Sequence, residues 1–377
     1  MLEPEHGLIR QEEHTHTRCW VGVLSYLLLA CLYVGSLYVW RSSLPSSVML
    51  EPEHGLIRQE EHTHTRCWVG VLSCLLLACL YVGSLYVWRS SLPRDHPSVI
   101  KRRCASVLLV SALSPAVVKT WIHWADVRVD VSVWELMGVR IEGFIPAAIL
   151  PLLLTMVFYL GPLVHTAMDN PDGFTAELKS AMDVQSWRLC VEDVVWLRNQ
   201  VVAPLTEELV FRAAMLPMLV PCTGPTAAIF TVPLFFGVAH FHHIIEERRL
   251  CKDCMNVILL VAGMQFLYTT VFGAFTAFMF MRTGHVVGPV LCHSFCNSQG
   301  LPDISSALQH PQRSVLLVTY LMGALLFLVL LVPLTDPFFY GAIPVCSLAP
   351  PSSVLQRSLA KREKDMVCMC ERAEKNR

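Results

Sequence analysis

The sequence predicts an all-α protein, a polytopic membrane helix bundle, on three observations. Hydrophobic residues make up 54% of the 377-residue chain and charged residues 16%, and mean hydropathy is +0.50, whereas about a quarter of a soluble domain is charged. Several uncharged windows reach the ~20 residues with which a helix crosses about 30 Å of hydrocarbon. Trp and Tyr stand at several window edges, as interface anchors do.

Residues 1–45 recur as 49–93, differing only at Tyr26 against Cys74, with Ser46, Ser47 and Val48 between them. Each copy holds one apolar run, Trp20 to Trp40 and Trp68 to Trp88. Structural repeats diverge around a packing pattern, so copies this alike mark a recent duplication. Each run exceeds the 7 to 15 residues of a signal-peptide core. Residues 1–48 are therefore expected to form one extra, loosely packed and dispensable helix. Arg89, Arg94, Lys101, Arg102 and Arg103 follow the second apolar run, a basic segment that the positive-inside rule places in the cytosol.

Downstream, Gly143 to His165, Val257 to Met281 and Ser314 to Thr335 are clear spans, while Cys104 to Val118, Val201 to Pro221, Pro225 to His243 and His285 to Leu301 are shorter or interrupted. With Trp68 to Trp88 these give eight core spans, and nine with the first copy. Residues 169–198 interleave charges with Trp187, Leu189, Val191, Val194, Val195, Trp196 and Leu197, the pattern of an interfacial amphipathic helix. Residues 49–345 thus form the membrane domain, and 346–377 a flexible polar tail.

A net charge of -1 and the lack of a basic stripe exclude a nucleic-acid partner; the lipid bilayer is the expected surroundings. The 15 cysteines are scattered through apolar segments and read as buried thiols. Cys251 and Cys254 form one CxxC with no second pair to complete a zinc site, and Cys368 and Cys370 are candidates for acylation.

Ionisable residues at membrane depth are functional candidates by default. Glu207, Glu208 and Arg212 stand in an otherwise apolar stretch. On a helix Glu208 and Arg212 share a face and form an ion pair, with Glu207 turned about 100° away. The bland alternative is a buried Glu-Arg network that only holds helices together. Phe236 leads to His240, Phe241, His242 and His243; His240 and His243 share a face and His242 is turned elsewhere. His293 and Asn297 form another i, i+4 pair, two hydrogen-bond donors suited to an oxyanion or, more plainly, to an interhelical clamp.

Glu207-Glu208-x-x-x-Arg212, Phe236-x-x-x-His240 and His293-x-x-x-Asn297, in this order, resemble the three motifs of the CAAX-protease and bacteriocin-processing family, glutamate intramembrane proteases. The resemblance covers roughly residues 60–345 and departs at the duplicated N-terminus and the tail. It implies a multi-pass endoplasmic reticulum enzyme with a site open to the cytosol, which removes the last three residues of prenylated CAAX proteins such as Ras-type GTPases. It assigns water activation to Glu207 and His240 and the oxyanion to His293 and Asn297, with Glu208, Arg212 and His243 in support and with no metal or cofactor. A carboxylate shielded from water suits a general base near neutral pH. Two other readings remain: a zinc protease with His240, His243 and His293 as ligands, although an HExxH signature is absent, and a non-catalytic membrane chaperone or transporter.

Overall fold

The computed structural model describes residues 57–348 except Arg89, Ser91, Arg128 and 251–254, and omits the side chains of 57–66, Glu246, Glu247, Arg249 and Leu250. The first copy of the duplication, the CxxC loop and the tail cysteines lie outside the described residues.

Every regular element among the described residues is helical. The α-helices of more than one turn are α1 (Ile57–Ser84), α2 (Pro97–Ala125), α3 (Phe144–Phe158), α4 (Leu160–Asp169), α5 (Pro171–Ala181), α6 (Val184–Glu192), α7 (Ala203–Glu208), α8 (Met215–Ala239), α9 (His243–Leu250), α10 (Met255–Thr283), α11 (Val287–Gln299), α12 (Ile304–Gln309) and α13 (Arg313–Leu334). Among the described residues 5 helical stretches are long and apolar enough to cross a membrane, or up to 6 if α3 and α4 form one bent span. The chain is a polytopic all-α membrane bundle.

The expected eight spans exceed that count for two reasons. α11, 13 residues long, rises only about 20 Å at 1.5 Å per residue, short of the hydrocarbon thickness. Val201–Pro221 and Pro225–His243 lie inside one stretch, Val194–Ile245, which doubles back at Gly224. There φ is 77° and ψ 165°, a backbone conformation open to glycine and closed to nearly every other residue. A straight helix would hold Phe211 and Phe236 more than about 35 Å apart, yet their ring centroids are 5.2 Å apart. The stretch is a helical hairpin whose two limbs correspond to the two segments expected there.

The chain divides into two compact units. The larger comprises 57–154, Ala181–Ser298 and 331–348. In it α8 packs against α10 and α1, and α1 against α2. A Cβ on Gly70 would fall 2.6 Å from the Met218 carbonyl oxygen, so only glycine permits so close an approach of α1 to α8. A disulfide between Cys67 and Cys222 joins the same pair of helices, which corrects the expectation that all the thiols are free. Leu72, Leu75, Leu76 and Leu80 of α1 are exposed while Cys74, Leu77 and Tyr81 are buried. An apolar outer face is what lipid solvates, and the helix segregates its polar hydroxyl inward.

The smaller unit contains Thr155–Ser180 and Gln299–Leu330. Gly161 lies under the Tyr320 ring and Gly323 against the Val157 carbonyl, each with no room for a Cβ, the small-residue packing that joins membrane helices. Asp169 gathers His165 and His310, each 3.3 Å away.

Candidate active site

The site is built on the first limb of the hairpin. Two π-helical segments, Arg198–Val202 and Leu209–Ala214, bracket α7. Their local cause is visible at Ala203, whose N–H bonds the Arg198 carbonyl five residues back beside Pro204, which has no N–H to offer. Such widened turns are frequent at functional sites because they re-aim side chains.

Thr206 anchors this turn. Its hydroxyl donates to the Val202 carbonyl at 2.7 Å and lies 2.9 Å from the Tyr81 hydroxyl of α1. Ser111 of α2 donates to the Thr206 carbonyl at 3.4 Å. The residue before Glu207 is thus tied to two other helices, which fixes where both glutamates point. No periodicity singled out Tyr81 or Ser111, since each is one of several hydroxyls in its helix.

The adjacent glutamates occupy different surroundings. Glu208 is fully buried, with Oε2 3.2 Å from Arg212 Nε at an angle that makes the contact ionic rather than a hydrogen bond. The Arg212 guanidinium carbon lies 4.1 Å from the Phe236 ring centroid, a cation–π contact that offsets part of the loss of water. Gly273 leaves space for it: a Cβ there would stand 3.0 Å from Arg212 Nη2. Glu208 Oε1 accepts a hydrogen bond from His293 Nδ1–H at 2.8 Å. Glu208 therefore holds both Arg212 and His293, a second role that spacing alone did not show.

Glu207 keeps 18% of its side chain exposed, and its Oε2 lies 3.7 Å from His293 Nε2. His293 stands between the two glutamates, one ring nitrogen toward each, with its ring centroid 4.9 Å from that of Phe272.

Glu207 and His240 line one cavity of about 150 Å³, together with His242, His243 and Asn199. His240 Nδ1–H donates to the Phe236 carbonyl at 2.7 Å, which leaves Nε2 with its lone pair available as an acceptor. His242 lines this cavity too, against the expectation that it is turned elsewhere. The cause is local: His240–His242 forms a 3-10 turn, whose tighter winding replaces the 100° step assumed for an α-helix. Ring centroids of His240 and His243 are 5.9 Å apart.

Asn297 sits outside this lining. It is exposed, and its Nδ2 donates to the Asn199 carbonyl at 2.9 Å. Asn199 itself lines the cavity, so Asn297 is one residue removed from it. Among the described residues no group of three or more His, Cys, Asp or Glu side chains is placed to hold a metal ion; His240, His243 and His293 do not converge as a zinc site would need.

The bundle thus sets a carboxylate and an imidazole acceptor against one cavity within an apolar helical domain. Residues 192–299 match a family model described as Type II CAAX prenyl endopeptidase Rce1-like. The chain is 60% identical to CAAX prenyl protease 2 of Homo sapiens over 88% of its length and 86% of that protein's. It is 54% identical to CAAX prenyl protease 2 of Rattus norvegicus, covering 88% and 85%. It is 35% identical to CAAX prenyl protease 2 of Caenorhabditis elegans, covering 60% and 81%. No solved structure matches the chain. The chain belongs to the CAAX prenyl protease 2 family.

Proposed function

We propose that this CAAX endopeptidase hydrolyses the peptide bond after the prenylated cysteine of a CAAX protein, releasing the terminal tripeptide, with Glu207 and His240 activating water. The observation that carries this reading is the placement of Glu207 and His240 on one cavity, the first largely screened from water and the second with Nδ1 committed to the Phe236 carbonyl, which leaves Nε2 for the cavity. A water between them loses a proton to the pair as its oxygen adds to the scissile carbonyl carbon. Collapse of the tetrahedral adduct breaks the C–N bond, and the abstracted proton passes to the leaving nitrogen. The products are a prenylcysteine carboxylate and a tripeptide with a new amine.

His293 and Asn297 are the proposed oxyanion donors. With Nδ1–H committed to Glu208, His293 donates from Nε2 only when it carries its second proton. The Asn297 amide has two hydrogens, and the one not used on Asn199 is the candidate donor. Glu208 and Arg212 hold His293 in position. The prenyl chain lies among the apolar helices while the peptide enters from the cytosolic face, in the endoplasmic reticulum membrane. Arg94 in the loop before α2 and Lys101, Arg102 and Arg103 in the first turns of α2 support that orientation.

The test is release of a tripeptide from a prenylated CAAX peptide by the purified protein in vesicles, with a strong chelator present. Release with chelator, lost in Glu207→Gln, supports the reading. Chelator-sensitive release would restore the zinc alternative, and no release in any condition the non-catalytic one.

A further inference from the structure

The end of the hairpin away from the chemistry carries a covalent feature. Cys67 of α1 and Cys222 of α8 form a disulfide with Cα atoms 5.6 Å apart. Cys67 opens the apolar stretch Cys67–Ser84, and Cys222 stands two residues before the reversal at Gly224. Tyr81, Glu207 and His240 line the catalytic cavity and lie 14, 15 and 16 residues from Cys67, Cys222 and Gly224 along their own limbs. Each count is a helical rise of about 21 to 24 Å. The limbs run side by side, with Gly70 against the Met218 carbonyl near the disulfide and the Tyr81 hydroxyl 2.9 Å from that of Thr206 near the cavity. Bond and cavity are therefore separated by most of the ~30 Å of hydrocarbon.

We infer that the Cys67–Cys222 disulfide lies on the membrane face opposite the catalytic cavity, is made there by an oxidising lumen, and staples the closed end of the hairpin while substrate enters at the open end. The inference rests on the orientation proposed above. Disulfides persist in oxidising compartments and are rare where glutathione and thioredoxin keep thiols reduced. Charge points the same way by a separate physical cause. The cavity end of α1 is followed by Arg89, Arg94, Lys101, Arg102 and Arg103, whereas the disulfide end is preceded by Arg58 and Arg66 among four glutamates, so the basic excess sits on the cavity side. Formation of the bond takes two electrons and two protons from the thiols, and these reduce the disulfide of an oxidoreductase or of oxidised glutathione to two thiols. The bond is added to a contact that exists without it, since Gly70 and Met218 meet one turn inward. It therefore acts on stability, by restricting the unfolded chain across a separation of 155 residues, and not on the aim of Glu207.

The experiment uses the full-length protein in sealed microsomal vesicles with the cytosolic face outward. They are treated with a membrane-impermeant phosphine reductant or with permeant dithiothreitol, then alkylated with a permeant maleimide and mapped by mass spectrometry. The Cys67–Cys222 bond should be present at the start and survive the impermeant reductant. Both cysteines should be alkylated after dithiothreitol, or after the impermeant reductant once detergent has opened the vesicles. The peptide that holds Cys67 also holds Cys74, whereas the matching peptide of the first copy holds Cys19 and Tyr26, so the two copies are told apart. Cys67→Ser, Cys222→Ser and the double variant should each lower Tm by about 5 °C or more and by equal amounts, with kcat within about twofold of the wild type. Thiols at both positions before reduction, a bond from Cys19 to Cys222 in its place, or loss of the bond to the impermeant reductant in sealed vesicles overturns the inference. So does an unchanged Tm in all three variants. A prenylated peptide too charged to cross the membrane, added outside, separates the two readings. Its cleavage by sealed vesicles whose bond the impermeant reductant removes overturns the inference alone, and cleavage only after the vesicles are opened overturns the proposed orientation and the inference together.

Discussion

Two neighbouring regions of the site differ in one respect, access to water. Around Glu208 everything is closed: the carboxylate and Arg212 are fully buried, and His293 is held by a 2.8 Å bond. Around Glu207, one residue along, the side chain is partly exposed and faces a cavity shared with three histidines. The difference teaches how a membrane helix divides labour between adjacent carboxylates. On the mechanism proposed above, one side of the turn fixes geometry in a dry environment where electrostatics are strong, and the other admits the water that the reaction consumes.

The largest expected effect lies on the open side. Glu207→Gln or His240→Ala should lower kcat/KM by at least about 10² to 10⁴, the contribution of a positioned acid–base group. Thermal unfolding in detergent should be nearly unchanged, because neither residue holds the buried network. A large fall in Tm for either variant would erase the contrast between the two sides.

Next comes the closed side. Glu208→Gln leaves Arg212 buried without its carboxylate, which should cost about 3 to 5 kcal/mol of stability, and it also weakens the hold on His293. Adding Arg212→Met removes the stranded cation. The double variant should regain most of the lost stability and little of the lost activity. Recovery of both would mean that Glu208 serves only the fold.

Asn297→Ala should lower kcat by about 2.7 to 4 kcal/mol of transition-state stabilisation if its amide meets the oxyanion. The bond to the Asn199 carbonyl is the rival explanation: a structural tie alone should cost about 1 kcal/mol of stability and little rate. The ratio of kcat loss to Tm loss separates them. Smaller again, His242→Ala should change the rate only a few-fold. His242 lines the cavity, but its Nδ1–H is committed to the Ala239 carbonyl at 2.6 Å. A loss as deep as that of His240→Ala would place it in the chemistry.

The least effect is expected from deleting residues 1–48. They repeat a segment whose second copy supplies α1, with Tyr81 against Thr206. Tripeptide release should be unchanged, and lost activity would show that the first copy has become part of the enzyme.

Much of this was legible in the residues themselves. Hydropathy set the all-helical membrane class because an apolar stretch in lipid must satisfy its own backbone bonds. The i, i+4 spacing of Glu208 and Arg212 set their pairing, which a single helix decides. The family motifs brought Glu207, His240, His293 and Asn297 forward as one set. What no linear pattern held was how these segments face one another. The reversal at Gly224 brings Phe211 and Arg212 against Phe236, the 3-10 turn swings His242 into the cavity, and packing sets His293 between two glutamates. Hydropathy and spacing are properties of one helix at a time and survive in the sequence. Contacts between helices depend on kinks, π turns and glycine-sized gaps, where a single residue redirects many others, and only the tertiary structure decides them.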